Sequence, residues 1–226
     1  MASSKQRLDQ LLVMRALAAS RPQAQRLIMA GKVRVAGQLA DKPGRRIAAD
    51  AELSVAAGER FVGRGGAKLE HAFQTFGLQA SGLICLDIGA SSGGFTDCLL
   101  QHGAAKVYAI DVGRGQLHQK LRQDPRVVIM DKTNARYLRP DDLGELADLA
   151  VMDVSFISLT KVMPAIKDML RPGAHLLTLI KPQFEAGRQE VGRGGVVREA
   201  AVRQRVIEQL RQWGTEQLGL RWLGVC

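Results

Sequence analysis

Five short apolar runs, "LICLDI", "KVYAID", "RVVIM", "LADLAVMD" and "HLLTLIK", fall between Leu83 and Lys181, separated by helical or loop segments. Each run is nearly continuous rather than alternating. A strand of that kind is buried on both faces, so the pattern predicts an α/β fold whose parallel sheet is covered by helices on both sides. No run approaches the ~20 apolar residues that a membrane helix needs.

The first sixty residues have a different rhythm. From Lys5 to Ala18, Leu8, Leu11, Leu12 and Ala16 keep helical spacing. In "SRPQAQRLIMAG", Ser20 serves as an N-cap, Pro22 sits in the first turn and Gly31 is a stop. Val33 and Val35 then alternate with Lys32 and Arg34, a turn is expected near Gly37, and a last short strand near Leu53 to Val55. This predicts a small α+β domain over residues 1–60. The Gly-rich "GERFVGRGGAKLEHA" reads as a hinge to a second domain over residues 61–226, with the boundary near Phe61.

The formal charge of +10 points to polyanionic partners and is concentrated at the start. Residues 1–60 carry eleven Lys and Arg against five acids, while the remaining 166 carry 21 against 17. Arg21, Arg26, Lys32 and Arg34 cluster where the second helix meets the first strand, a place suited to holding phosphates. The stretch "RLDQLLVMRALAASRPQAQRLIMAGKVRVAGQLADKPGRRI" resembles the αL RNA-binding module first known from a small-subunit ribosomal protein. That resemblance implies RNA binding.

Three cysteines, Cys85, Cys98 and Cys226, are too few and scattered for a disulfide framework or a zinc site, which argues for a reducing cytoplasm. Charges interrupt the N-terminal apolar stretch, so it lacks the h-region of a secretory signal. His71, His102, His118 and His175 show no metal spacing, and no metal is expected.

"DIGASSGGFTD", residues 87–97, follows the first strand, and three ligands compete for such a loop. A dinucleotide fingerprint would need a glycine where Ser91 stands. A triphosphate-binding loop would need a lysine where Phe95 stands. S-adenosylmethionine fits better: Asp87 ends the strand, and Gly89, Ala90, Ser91, Gly93 and Gly94 are small enough to let its methionine part approach the backbone. Asp111, ending the second strand, can accept both ribose hydroxyls, and Asp131, after the third, can meet the adenine amino group. Asp153 and Lys181 end the later strands and should face the same crevice.

Together "GRGGAKLEHA", "DIGASSGGFTDCLLQHGA", "IDVGRGQLHQKLR", "DPRVVIMDKTNAR", "VMDVSFISL" and "IKPQFEAGRQEVGRGGVVRE" resemble the TlyA family of ribosomal RNA methyltransferases, some members of which are labelled haemolysins. The second domain is similar to FtsJ-type 2′-O-methyltransferases, with a Rossmann-like fold and a Lys-Asp-Lys-Glu active site. By motif position the resemblance assigns the first three members to Lys68, Asp153 and Lys181. It implies methylation of a cytidine ribose in ribosomal RNA, or in an assembled subunit, with S-adenosylmethionine as donor.

A ribose hydroxyl is a poor nucleophile, so attack on a sulfonium methyl gains from a group that removes its proton or stabilises its charge. Lys181 is expected to do this, as a neutral base or as a cation; Asp153 would orient it, and Lys68 would position the hydroxyl or a phosphate.

Two positions depart from the family pattern. Asp131 stands where a glutamate usually precedes "TNAR". "LGLRWLGVC" reads as the penultimate strand, and the family's following Gly/Pro-rich turn and "GN.E" strand, with the tetrad glutamate, are not in the sequence. Neither Glu185 nor Glu190 occupies that motif position. A shortened sheet, weakened activity and a strand edge prone to pairing are therefore expected.

Three rival functions remain. Base N-methylation would need an Asp/Asn-Pro-Pro-aromatic loop where "DVSF" stands. An RNA-binding protein with a catalytically impaired methyltransferase fold fits the missing glutamate. Membrane lysis would need an amphipathic or spanning segment that the sequence lacks. "GRQEVGRGG" reads as a mobile loop near the site's mouth.

Overall fold

The computed structural model describes residues 4–56 and 60–226. The chain divides into two compact units, Met1–Arg60 and Phe61–Cys226.

The first unit runs β1 (Lys5–Arg7), α1 (Leu8–Met14), α2 (Arg21–Met29), β2 (Val33–Val35), β3 (Gln38–Leu39), β4 (Arg46–Ala48) and β5 (Leu53–Val55). β1 pairs antiparallel with β4, and β2 lies between β3 and β5, antiparallel to both. The apolar positions legible in the sequence form its core: Leu8, Leu11, Leu12, Ala24, Ile28, Val33, Val35 and Ile47 are buried. Ser20 caps α2 by accepting from the Gln23 amide at 3.4 Å. Ala36 and Gly37 both have positive φ, +48° and +77°, and join Val35 to its partner Gln38 in the two-residue turn that matches strand twist.

The first helix is shorter than the Lys5–Ala18 span expected from its leucines. Lys5 to Arg7 are drawn into the ladder with β4, and Ala16 adopts a left-handed φ of +56°, so the helix stops at Met14. Arg15 leaves the helix axis and donates to the Ala51 carbonyl at 2.6 Å and to that of Ala49.

Asp9 is fully buried on α1 and collects five donors. Arg7 donates through Nε and Nη2, Arg21 through Nε, Gln25 through Nε2 and Gln10 through its amide, each at 3.0 Å. The Arg7 hydrogen bonds, aided by Gln25 and Arg21 and opposed by burial, hold the Asp9 carboxyl well below the usual range.

In the second unit α3 (Gly65–Phe76) precedes β6 (Ile84–Ile88), α4 (Gly94–Gln101), β7 (Lys106–Ile110), α5 (Gln119–Arg122), β8 (Val127–Met130), β9 (Ala147–Met152), α6 (Met163–Asp168), β10 (Leu170–Thr178), α7 (Pro182–Glu185) and α8 (Ala200–Leu218). The sheet is wholly parallel in the order β10-β9-β6-β7-β8. Side chains alternate between two cores. Val107, Ala109, Leu149 and Val151 face Leu69, Phe73 and Leu99, while Leu86, Ile88, Tyr108, Ile110 and Met152 face Ile166, Val206 and Leu210. The inner strands β6, β7 and β9 therefore read as continuous apolar runs because neither face meets water, while the edge strands β8 and β10 are partly exposed. Burying Leu69 and Phe73 contributes about 2 to 3 kcal/mol each.

Other segments depart from expectation. Of the segment read as a hinge, Gly58 and Glu59 lie outside the described residues, and Phe61 to Gly66, Arg64 excepted, are buried or half-buried. Phe61 is buried, and the Val62 amide donates to the buried Asp97 at 2.9 Å. The "LGLRWLGVC" segment pairs with no strand among the described residues; Gly219 (φ +64°) and Gly224 (φ +142°) leave at most four residues between them to extend. It joins α3, β10 and α8 around an apolar cavity of about 1060 Å³. In the loop read as mobile, Glu190 accepts from the Gly187 amide at 3.0 Å and pairs with Arg205 on α8, while residues 192–195 are exposed. Among the described residues no helix is long and apolar enough to cross a membrane.

Asp9→Asn should destabilise the first unit by about 2 to 4 kcal/mol, at the low end for a broken buried pair because both guanidiniums are partly exposed. Because the folded carboxyl titrates below the unfolded one, this stabilisation is complete above about pH 4 and is lost as the solution is acidified further. Hydrogen exchange over residues 4–56, measured by mass spectrometry across pH, should show the acid-induced loss in the wild type and not in the variant.

Candidate active site at the strand ends

β6 lies between β7 and β9, so the chain leaves it toward β7 and returns to its other side with β9. At such a reversal the loops beyond the carboxyl ends part and leave a crevice. The loop after β6 and the residues after β7, β8, β9 and β10 all end there, and they hold most of the residues singled out from the sequence.

Asp87, the penultimate residue of β6, is completely buried. Its Oδ2 accepts from the Thr96 hydroxyl at 2.6 Å, and its Oδ1 has no partner among the described residues. Burial pushes its carboxyl up to about 7 against the opposing Thr96 bonds, and the charges of Asp153 and Asp111 add to the rise.

The loop that follows is set by backbone. Gly89 (φ +85°) and Ala90 donate their amides to the Ile110 carbonyl at 2.9 and 3.2 Å, and Gly93 (φ +96°) donates to the Ala90 carbonyl at 2.8 Å. The glycines were read as room for a ligand, but the structure gives each a packing reason. A Cβ on Gly89 would lie 2.7 Å from the Asp153 carbonyl oxygen, one on Gly93 2.2 Å from Leu121 Cδ1, and one on Gly94 3.0 Å from the Gly66 amide nitrogen. The "GRGG" segment therefore lies directly against the start of α4. Sequence reading missed this, although two glycine clusters in one domain were the available signal.

Asp111 is half-buried and fixed by two amides, Ser91 N on Oδ2 at 2.8 Å and Gly113 N on Oδ1 at 2.7 Å. Ser91 takes a left-handed φ of +49° to make that bond. Asp131 accepts from Gly115 N at 3.0 Å and lies 3.6 Å from Arg122 Nη1, both on Oδ2. Arg122 was not anticipated.

Asp153 and Lys181 meet. Lys181 Nζ lies 2.5 Å from Asp153 Oδ1 and donates to the Ser155 hydroxyl at 2.8 Å. Asp153 is anchored by its own amide, which donates to the Ile88 carbonyl at 2.9 Å. Lys68 is exposed on α3 and makes no hydrogen bond or ion pair among the described residues. It follows Gly65 by three positions and so shares its helix face, and a Cβ on Gly65 would lie 4.0 Å from Asp153 Oδ2. Phe156, in left-handed backbone (φ +64°) and 91% exposed, packs its ring on Phe184 at 5.2 Å. Ser155 and this ring pair gain their roles only when two strand-end loops meet, whereas Thr96 bonds Asp87 across the same loop, nine residues away.

The basic cluster of the first unit divides. Arg21 is committed to Asp9, and Arg34 donates to the Gly37 carbonyl at 2.9 Å. Arg26, exposed, and Lys32, half-buried, have no such partner among the described residues. Nor, among those residues, does any group of three or more His, Cys, Asp or Glu come together as a metal site.

Residues 61–226 match the FtsJ-like methyltransferase family and residues 6–53 match the S4 domain. The 16S/23S rRNA (cytidine-2′-O)-methyltransferase TlyA of Mycobacterium tuberculosis (strain ATCC 25618 / H37Rv) is 47% identical over 221 residues, which cover 97% of this chain and 82% of that protein. Hemolysin A of Brachyspira hyodysenteriae is 45% identical over 202 residues, covering 89% of this chain and 84% of its own. A solved structure described as a candidate hemolysin from Streptococcus thermophilus superposes with a TM-score of 0.70 at 45% identity, over 95% of this chain and 79% of that one. With a Rossmann-like parallel sheet, an N-terminal S4 domain and these relatives, the chain belongs to the FtsJ-like methyltransferases, as a member of the TlyA family.

Proposed function

We propose that this chain methylates the ribose 2′-oxygen of a cytidine in ribosomal RNA, free or within a ribosomal subunit, with S-adenosylmethionine as donor. The observation that carries the reading is the Lys181–Asp153 pair at the strand ends, 2.5 Å apart, beside an acid-lined glycine loop. An ammonium has three N–H donors. Asp153 and Ser155 take two, and the third is free for an oxygen that is losing its proton.

The residues present suit the donor. Asp87 Oδ1, a buried acceptor without a partner, fits a cationic amino group. Asp111, braced by two amides, keeps lone pairs for the ribose hydroxyls, and Asp131 Oδ1 is open to an exocyclic amine. Gly89, Ala90, Ser91, Gly93 and Gly94 would form the wall between them. When bound, S-adenosylmethionine supplies an electrophilic methyl on a sulfonium, and its transfer makes a 2′-O-methyl ribose and releases the hydroxyl proton.

The chain's own part is positional and electrostatic. Lys181 lowers the energy of the oxygen as negative charge develops on it, and Asp153 fixes the ammonium so that little reorganisation is needed. Lys68, exposed on the same face as Gly65 and unpaired among the described residues, is available to a substrate phosphate. On the S4 domain, Arg26 and Lys32 are the cations of the original cluster free to meet the RNA backbone, while Arg21 and Arg34 first serve the fold.

Lys181→Ala should lower transfer by about 100-fold or more while S-adenosylmethionine binding, followed by calorimetry, stays within twofold. Nucleoside mass spectrometry of ribosomal RNA after reaction should show 2′-O-methylcytidine. A base-methylated product, or RNA binding with no transfer, would overturn the reading.

Asp87→Asn tests the buried acid. Its folded carboxyl titrates near 7 while an unfolded aspartate titrates near 4, so the folded state holds the proton more tightly. Stability is thus lost as pH rises from about 4 through 7, on the order of 4 kcal/mol when the loss is complete. Denaturant melts at pH 5, 6.5 and 8 should show this decline in the wild type and a flat profile in the variant, with cofactor affinity in the variant reduced. A flat wild-type profile would mean that Asp87 stays charged throughout.

A further inference from the structure

We infer that Glu185 is a positioning residue: by clasping the loop after β9 it holds Lys181 against Asp153 and Ser155. The inference rests on the proposed role of Lys181 at the 2′-oxygen.

Two strand-end segments run side by side here, and both leave the sheet at a ladder bond. The Asp153 amide donates to the Ile88 carbonyl and the Leu179 amide to the Met152 carbonyl, each at 2.9 Å. Beyond those bonds the sheet holds neither segment. Lys181 lies two residues past the last one and is followed by α7, a helix of only four residues. A single turn cannot hold itself in water, because its nucleus fixes more backbone than its hydrogen bonds repay.

Three ties in matching order join the segments. Lys181 reaches Asp153 and Ser155, the Phe184 ring packs on Phe156 at 5.2 Å, and Glu185 closes the far end. Its Oε2 accepts from the Ser158 hydroxyl at 2.6 Å and its Oε1 from the Leu159 amide at 2.8 Å. Both donors belong to the start of the 3-10 turn Leu159–Lys161, so the carboxylate caps one segment while ending the other.

Lys181 is thus suspended between a ladder bond at Leu179 and a clasp at Glu185. With the clasp gone, the segment would keep the apolar packing of Ile180 and Ala186, the ring pair and the lysine's own bonds, but would lose its carboxylate tie to the loop after β9. A displacement of about 1 Å at a reacting group can cost on the order of 100-fold in rate. Glu185 makes no contact with the reacting atoms in this account and acts through Lys181.

Two readouts on the full chain test this. The first needs no activity: the rates at which Lys181 and Lys68 are acetylated by a limiting N-hydroxysuccinimide ester, read by mass spectrometry. Glu185→Ala should speed modification of Lys181 several-fold and leave the exposed Lys68 unchanged. The second is kinetic: Glu185→Ala should lower kcat by roughly 10- to 100-fold, with KM for RNA and the Kd for S-adenosylmethionine within twofold. Glu185→Gln, which keeps an acceptor oxygen, should recover most of both.

If Glu185→Ala does not fold, Ser158→Ala removes one bond of the clasp and should give the same pattern more weakly. Unchanged Lys181 acetylation in the folded variants would overturn the inference, as would a loss confined to KM. If the wild-type chain transferred no methyl to ribose, the proposed function would fail, and the acetylation rates would still decide whether the clasp holds Lys181.

Discussion

The site depends first on a contact without side chains. The Asp153 carbonyl oxygen lies only 2.7 Å from where a Cβ on Gly89 would stand, so the loops leaving β6 and β9 are in backbone contact. No other residue at 89 combines that approach with a φ of +85°. The contact sets how far the Asp153 carboxylate stands from the glycine loop, and through Asp153 it sets where Lys181 ends. On the other side of the loop, Gly94 meets the backbone of Gly63 to Gly66 in the same way, which brings the start of α3, and with it the Lys68 face, to the same place.

Around that frame the carboxylates differ according to what surrounds them. Asp87 is dry, with one oxygen bonded to Thr96 and the other alone, and its proton is held tightly. Asp111 is half-exposed and braced by two amides, and Asp153 is matched by an ammonium. Asp9, in the S4 domain, is also covered from solvent, but by two partly exposed guanidiniums and two further donors, and its carboxyl moves in the opposite direction. Loss of solvent contact alone does not decide the charge of a carboxylate; the groups that cover it do.

The parallel sheet was legible because strands buried on both faces must be written as unbroken apolar runs, and the strand-end residues were legible because such runs stop where the crevice begins. Asp153 and Lys181, 28 positions apart in sequence, could be brought together on that ground alone. Reasons were harder to read than positions. The loop glycines were recognised, but the space they leave is taken by protein backbone and by Leu121. That Arg21 also pairs with Asp9, twelve residues back on another helix, could not be read from the cluster. The first helix was drawn too long because leucine spacing does not report that Lys5 to Arg7 can pair as a strand. Ser155 and Glu185 lie inside the quoted motifs but had no role assigned to them, since their roles exist only where two loops run together.

The place of β6 in the sheet has a consequence for how the chain acquires its shape. The central strand is bordered by β7, which follows at once, and by β9, whose Asp148 carboxylate receives the Ile84 amide from 64 positions away. In the S4 domain the strands find partners within a few dozen residues. During synthesis that domain can close early, while β6 has one edge open until residues 147–152 emerge, so the crevice at the strand ends depends on the pairing of longer sequence separation.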